Sequence, residues 1–307
     1  MSVKQQPILI SDLIRWLRLS GLVVLMTLLS ACQRGGGEAS SGSLAYLAQT
    51  KGYWQVWVAN EDGSNPRQLT KQDMDVSRIS WFPGGTELLI NLQDGRMFRA
   101  NATTGEAKPI QAPMPGIQDA VVSPDGKRIA FSYGVSESTY DNDVWMFDVT
   151  SGEQAKLTSV PGLQHDPAWS ADGQWVYFLS GSGGQFHDIW RLKVADLSTE
   201  QVTVNELYHF DLALRDDGVI AYSGNRNGNY DLWLRYANGR AESLTNDIDL
   251  DGRPTWSSDG QSLLFESSRN DALNIWRLDL KTRAIEPVTQ TTDGARMPVI
   301  APQRDGA

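Results

Sequence analysis

Pro254-Thr255-Trp256-Ser257-Ser258-Asp259-Gly260-Gln261-Ser262-Leu263-Leu264-Phe265 is a short apolar run, an Asp-Gly corner and a second apolar run. Two such runs across a tight corner read as a β-hairpin, because Asp and Gly accept the backbone angles the turn needs. The pattern returns as Pro167-Ala168-Trp169-Ser170-Ala171-Asp172-Gly173 and Val121-Val122-Ser123-Pro124-Asp125-Gly126. It recurs more loosely at Trp81-Phe82-Pro83-Gly84-Gly85 and Leu214-Arg215-Asp216-Asp217-Gly218. The corner falls at Gly84, Asp125, Asp172, Asp217, Asp259 and Gln303, at spacings of 41, 47, 45, 42 and 44. Regular periods in the forties, filled with short strands, mark the blades of a β-propeller.

Each period holds four strand-like runs. In the stretch from 252 to 289 the first ends at Trp256, the second is 262–267, the third 274–280 and the fourth 284–289. Third strands carry an aromatic at matching places, namely Trp57, Phe98, Trp145, Trp190, Trp233 and Trp276. Fourth strands end in pairs such as Leu69-Thr70, Leu157-Thr158, Leu244-Thr245 and Val288-Thr289, so the blade count is six. Leu44-Ala45-Tyr46-Leu47 looks like a second strand without its first, and Pro298-Val299-Ile300-Ala301 like a first strand without successors. Pairing the two closes the ring and removes the open sheet edges that invite aggregation. The expected fold is all-β: one propeller over 44–303, four antiparallel strands per blade, with 304–307 a tail.

Lys4, Arg15 and Arg18 precede an uncharged apolar run at 19–29, whose 11 residues fall well short of the roughly 20 that span a bilayer as a helix. Residues 1–31 therefore read as an export signal. Cys32 is the single cysteine, so no intrachain disulfide can form. From Gln33 to Ser43 the chain is rich in Gly and Ser, and 32–43 reads as a flexible tether with a reach of roughly 18 Å. The whole chain carries a net charge of −10. Without Lys4, Arg15, Arg18 and Asp12, the remainder has 24 basic and 36 acidic residues, a balance that argues against nucleic acid as a partner.

Leu29-Ser30-Ala31-Cys32 resembles the lipobox of bacterial lipoproteins, which implies lipidation of Cys32; Gln33 after it resembles lipoproteins sorted to the outer membrane. The Trp-Ser-x-Asp-Gly corners, runs such as Arg128-Ile129-Ala130-Phe131 and endings such as Ser243-Leu244-Thr245 resemble the TolB-like, WD40-like PD40 propeller repeat of bacterial envelope proteins, with degenerate places at Arg96, Val122 and Leu214. The resemblance implies a lipid-anchored, monomeric, non-catalytic scaffold facing the periplasm, without the additional N-terminal domain of TolB. It also implies an envelope-protein partner, by analogy a peptidoglycan-associated lipoprotein.

Repetition filters the candidate residues, since six copies of one residue serve the scaffold and a single asymmetric partner needs unique ones. Asp143, Asp188 and Asp231, with Asn274 and Gln55 at the matching places, read as backbone hydrogen-bonders of the scaffold. Three histidines and no Gly-x-Ser-x-Gly, His-Glu-x-x-His or phosphate loop leave no catalytic residue to name and no cofactor to expect. His165 and His209 fall at the entrances of first strands, where some TolB-like propeller lyases place metal-binding histidines. With Asp251 they are weak candidates for a divalent cation, and a metal-dependent carbohydrate-active propeller is the rival to the scaffold. Asp247-Ile248-Asp249-Leu250-Asp251-Gly252 imitates a calcium loop, but its twelfth position is Ser258 rather than Glu, so it reads as an acidic connection between blades. Three residues before the first-strand Trp position stand Arg78, Asp119, Asp166, Asp211, Arg253 and Met297, with Arg78–Asp119 and Asp211–Arg253 expected to pair.

Chain direction puts the tight corners on one rim. The irregular links, notably 134–142, 181–187, 159–165 and 246–252, fall on the other, around the channel mouth. Variable loops on a rigid scaffold carry binding, so the partner-binding candidates are Tyr133, Tyr140, His165, His209, Asp249, Asp251 and Arg296.

Overall fold

The computed structural model describes residues 42–134, 142–160, 162–182, 187–204, 208–226 and 228–303. Cys32 and Tyr140 lie outside them. Six four-stranded antiparallel sheets follow one another around a ring, and only one short 3-10 turn, Arg269–Asp271, interrupts the β structure among the described residues.

We number the blades along the chain from the closing one. In blade one the C-terminal strand Ala295–Ile300 pairs with Ser43–Thr50, which continues to Tyr53–Asn60 and Arg67–Gln68. Leu44 faces Ile300 and Ala45 faces Val299 across that ladder, and the Ala301 amide donates to the Ser43 carbonyl at 2.8 Å. The first strands of blades two to six are Val76–Trp81, Gln118–Val122, Gln164–Trp169, Tyr208–Leu214 and Asp251–Trp256. Fourth strands are shorter than their sequence suggests: in blade six only Ile285–Pro287 is strand, and Val288 and Thr289 share the Ile275 carbonyl beyond it.

The corners hold themselves together. The hydroxyls of Ser123, Ser170 and Ser257 donate to Asp125, Asp172 and Asp259 at 2.5, 2.6 and 2.6 Å and accept the amides of Arg128, Trp175 and Ser262. Gly173 then takes φ +66, a left-handed angle that costs glycine nothing.

The repeated acids act through threonine. Thr158, Thr203 and Thr245 donate their hydroxyls to Asp143, Asp188 and Asp231, and Thr70 and Thr289 do so to Gln55 and Asn274. Each threonine oxygen accepts the amide that follows the acid position, for example Val144 at 2.9 Å. The five residues therefore reach the backbone mostly through a side chain, and Gln55 and Asn274 also accept the amides of Gln72 and Thr291 directly.

Adjacent blades lock by an alternation. The ladders place Ile300, Trp81, Val122, Trp169, Leu214 and Trp256 at one position of the first strand. Each of the three Trp rings donates its N–H to the preceding blade, to the carbonyls of Val299, Val121 and Ala213 at 3.1, 3.4 and 3.1 Å. Those acceptors pair across their own ladders with Ala45, Ala130 and Ala221. Ahead of the aliphatic residues the matching pairs end in Leu89, Tyr177 and Leu264. A large ring against alanine thus alternates with an aliphatic side chain against a larger one, so that a large residue on one strand faces a smaller one on the other.

Candidate functional site

Every first strand breaks its ladder with its second strand at one place, and the break bends the strand toward the axis. Asp119, Asp166, Asp211, Arg253 and Met297 sit there with φ between 48 and 55. Aspartate tolerates that angle better than most residues. These are the residues three before the Trp position; the charged ones gather around the channel, whereas Met297 packs in the hydrophobic core with residues of blades one and two.

The pairing differs from the expected one on one side. Arg253 does meet Asp211 at 3.4 Å, and also Glu266 at 3.4 Å. Arg78 of blade two instead reaches past blade three to Asp166 of blade four at 3.0 Å. Burial raises the pKa of Asp119, with the Asp166 charge adding to it. Asp166 is pushed up by burial too, but its hydrogen bond from His165 and the charges of Arg78, His165 and Arg253 prevail and hold it well below the carboxylate range.

Above this plug lie all three histidines of the chain. His165 Nδ1 is 3.0 Å from Asp166 Oδ2, and its Nε2 is 2.9 Å from His187 Nδ1. His209 Nδ1 lies 3.0 Å from the His187 carbonyl. His165 and His209 are not equivalent: the ladders match His165 with Phe210 and Gly252, and His209 with Gln164 and Asp251. One step along a strand turns a side chain to the other face. His209 is consequently fully buried, with its ring centroid 4.9 Å from that of Tyr222.

Asp251 is fully buried as well, held by both terminal nitrogens of Arg269, which also bonds Asp247. Among the described residues no group of three or more His, Cys, Asp or Glu is placed to hold a metal ion, so His165, His209 and Asp251 do not form one donor set. The remaining candidates reach the rim. Tyr133 is half-buried with its ring edge-on to Trp145, Asp249 is half-buried beside Ser268, and Arg296 lies over the Trp54 ring at 4.1 Å. Between Asp247 and Asp249, Ile248 is 97% exposed.

Three residues the sequence reading passed over complete this rim: His187, Arg269 and Ile248. A signal for His187 existed. His165, His187 and His209 are separated by 22 residues each, half a blade period, and half a period returns the chain to the same rim.

Residues 39–231, more than half of the chain, match the model of the TolB beta propeller domain. The chain belongs to that family. TolB from Acinetobacter baumannii superposes on this TolB-like propeller with a TM-score of 0.76 at 20% identity, covering 85% of this chain and 67% of that one. An oligogalacturonate lyase solved in complex with manganese gives 0.57 at 12% identity, over 82% of this chain and 74% of that one. Dipeptidyl-peptidase 5 of Porphyromonas gingivalis is 26% identical over 213 residues, 63% of this chain but 25% of that protein. The chain spans between 20% and 42% of the length of the curated relatives it matches, the upper figure being the Tol-Pal system protein TolB of Francisella tularensis. The structural likenesses establish the fold.

Proposed function

We propose that the protein is a lipoprotein of the bacterial outer membrane whose propeller, facing the periplasm as a monomer, binds an envelope protein without catalysis. Cys32 carries the lipid, and the Gly/Ser-rich run after it, expected to reach 43 but ending before the strand that begins at Ser43, is the tether. The observation that supports partner binding is the contrast between repeated and unique residues: three serine corners repeat on the Asp-Gly rim and five threonine relays repeat at the strand ends near the other, whereas the channel mouth itself gathers residues used once. Tyr133, Tyr140, His165, Asp249 and Arg296 are the contact candidates, with His209 and Asp251 supporting them from beneath. By analogy with the Tol-Pal system named in its relatives, a peptidoglycan-associated lipoprotein is the first partner to test.

Paired charge and aromatic substitutions on each rim, chosen to leave melting unchanged, test the docking face against the captured partner. Loss of binding from the Asp-Gly rim alone refutes it. Anchoring is tested by Cys32→Ala: acyl chains contribute about 0.8 kcal/mol per buried CH₂, so the exported variant should leave the membrane pellet after a high-salt wash. A pellet that persists refutes lipidation.

A metal-dependent carbohydrate-active enzyme is the second reading, favoured by the three histidines on one rim and the manganese-bound lyase of like fold. A ligand at 100 times its dissociation constant adds about 2.7 kcal/mol of stability. Manganese that leaves the melting midpoint unmoved removes this reading.

A further inference from the structure

The exchange of large for small residues is incomplete at one of the blade interfaces. Between blades four and five, on the Asp-Gly rim opposite the channel mouth, lies a cavity of about 320 Å³ walled by Trp175, Tyr177, Leu214 and Ile220, with Asp172 and Asp216 at its lip. Two shortages combine there. Leu214 stands where blades two, four and six carry Trp. Ser170, the residue after Trp169, stands where the next aliphatic interface has Phe82, which fills its own space with Arg99 stacked 4.1 Å from the ring. The third aliphatic interface is bridged by Gln303 to the Ser258 carbonyl and by Glu61 to the Ser258 amide. Tyr177 makes up only part of the deficit at Leu214, and the volume left is at the lower end of the range of ligand pockets.

We infer that this pocket is a binding site for an aromatic ring carrying a cationic arm. The ring follows from the walls: Leu214 stands where three other interfaces seat an indole, and although Tyr177 rather than alanine faces that position, the cavity beside it is lined by aromatic and aliphatic side chains. Trp175 and Tyr177 supply aromatic walls, and the guanidinium of Arg191, 4.4 Å from the Trp175 ring and 3.3 Å from the Tyr177 hydroxyl, fixes both. The cation follows from Asp172 and Asp216 at the lip of an acidic body, the one cation of the lining, Arg215, being already bonded to Asp217 and to the Gly260 carbonyl. The source is either a free aromatic amine or a Trp flanked by basic residues in a peptide.

The test titrates the mature protein with tryptamine, indole-3-propionate and the peptide Lys-Trp-Lys, reading heat of binding and melting midpoint. Tryptamine should bind at least about tenfold more tightly than the propionate. The peptide binding more tightly than tryptamine assigns the site to a protein segment, and the reverse assigns it to a free amine. Leu214→Trp supplies the missing indole from the chain itself, so it should raise the midpoint and abolish binding of all three probes. The double variant Asp172→Asn, Asp216→Asn keeps the cavity and should erase the preference for the cation. No binding of tryptamine up to about 10 mM, equal binding by Leu214→Trp, or an undiminished cation preference in the double variant overturns the proposal. Capture of a partner by the channel rim is unaffected in either outcome.

Discussion

On the rim of Asp-Gly corners, Ser123, Ser170 and Ser257 each donate to an aspartate two residues on. On the opposite rim Arg78 reaches an aspartate 88 residues away, His165 a histidine 22 away, and the Glu266 carboxylate accepts an amide 31 away. Local bonds form wherever the motif is written and are interchangeable between blades. The distant bonds at the mouth form only once strands far apart in the chain have packed, and these three are all different. A closed ring of near-identical units therefore leaves one face free to be specific, because the other face and the blade interiors hold the units together.

Opening the ring breaks the comparison most severely. Deleting 295–307 takes the inner ladder from Ser43–Thr50, the carbonyl of Val299 from Trp81, and the partner of the Glu266 carboxylate at the Met297 amide. The expected loss is on the order of the whole stability of a domain, about 5 kcal/mol or more, read by circular dichroism as the disappearance of the wild-type transition. A truncated chain that melts at the wild-type midpoint contradicts the closure. Removing 304–307 alone should change nothing.

The ring and its closure were legible because they rest on periodic signals: the corner, the third-strand aromatic and the terminal threonine recur. The mouth was legible only as a location. His165 and His209 stand at first-strand entrances in sequence, and only the ladder reveals that they are one residue out of step, which sends one toward the channel and the other between blades. Arg78 with Asp166 was unreadable because the pairing skips a blade. The alternation of Trp with Val122, Leu214 and Ile300 was visible as degeneracy, but its meaning needed the facing residues, Ala45, Ala130 and Ala221 against Leu89, Tyr177 and Leu264.

Single substitutions sharpen the contrast. Arg269→Ala strands the fully buried Asp251, whose pKa burial already raises against the pull of Arg269. Removing one partner of a buried pair costs about 3 kcal/mol, and Arg269→Met with Asp251→Asn should recover most of it. Ser257→Ala, at a corner, removes one donor to Asp259 and one acceptor of the Ser262 amide, for about 1 kcal/mol. Ser123→Ala should match it, since Ser123 is equally buried. Urea unfolding in which the corner variant costs as much as Arg269→Ala erases the distinction between the rims.

The smallest effect is a pH dependence confined to the mouth. Burial works against protonating His165, but the hydrogen bond to Asp166, that carboxylate's charge and those of Asp119 and Asp211 prevail, so its pKa is held above the ordinary 6.5. Burial and the charge of His165 hold His187 below 6.5. With Arg78 bonded to Asp166 beside them, one proton serves both rings: we assign it to His165, which donates Nδ1–H to Asp166 and Nε2–H to the bare Nδ1 of His187. A raised histidine contributes fully below its unfolded value and loses that contribution as pH climbs through its folded one. His187 acts on the other side, losing its contribution as pH falls below 6.5, where Asp119 and Glu266, both raised by burial, oppose it. The window in which His165 contributes is thus above 6.5, where wild-type stability should decline as pH rises through its raised pKa. His165→Asn keeps a polar group beside Asp166 but removes the titration, so its unfolding midpoint should be flat over that window. The Asp-Gly corners, whose aspartates titrate far below it, add nothing there. An undiminished decline in His165→Asn would place the pH-sensitive group elsewhere and leave the two rims alike in this respect.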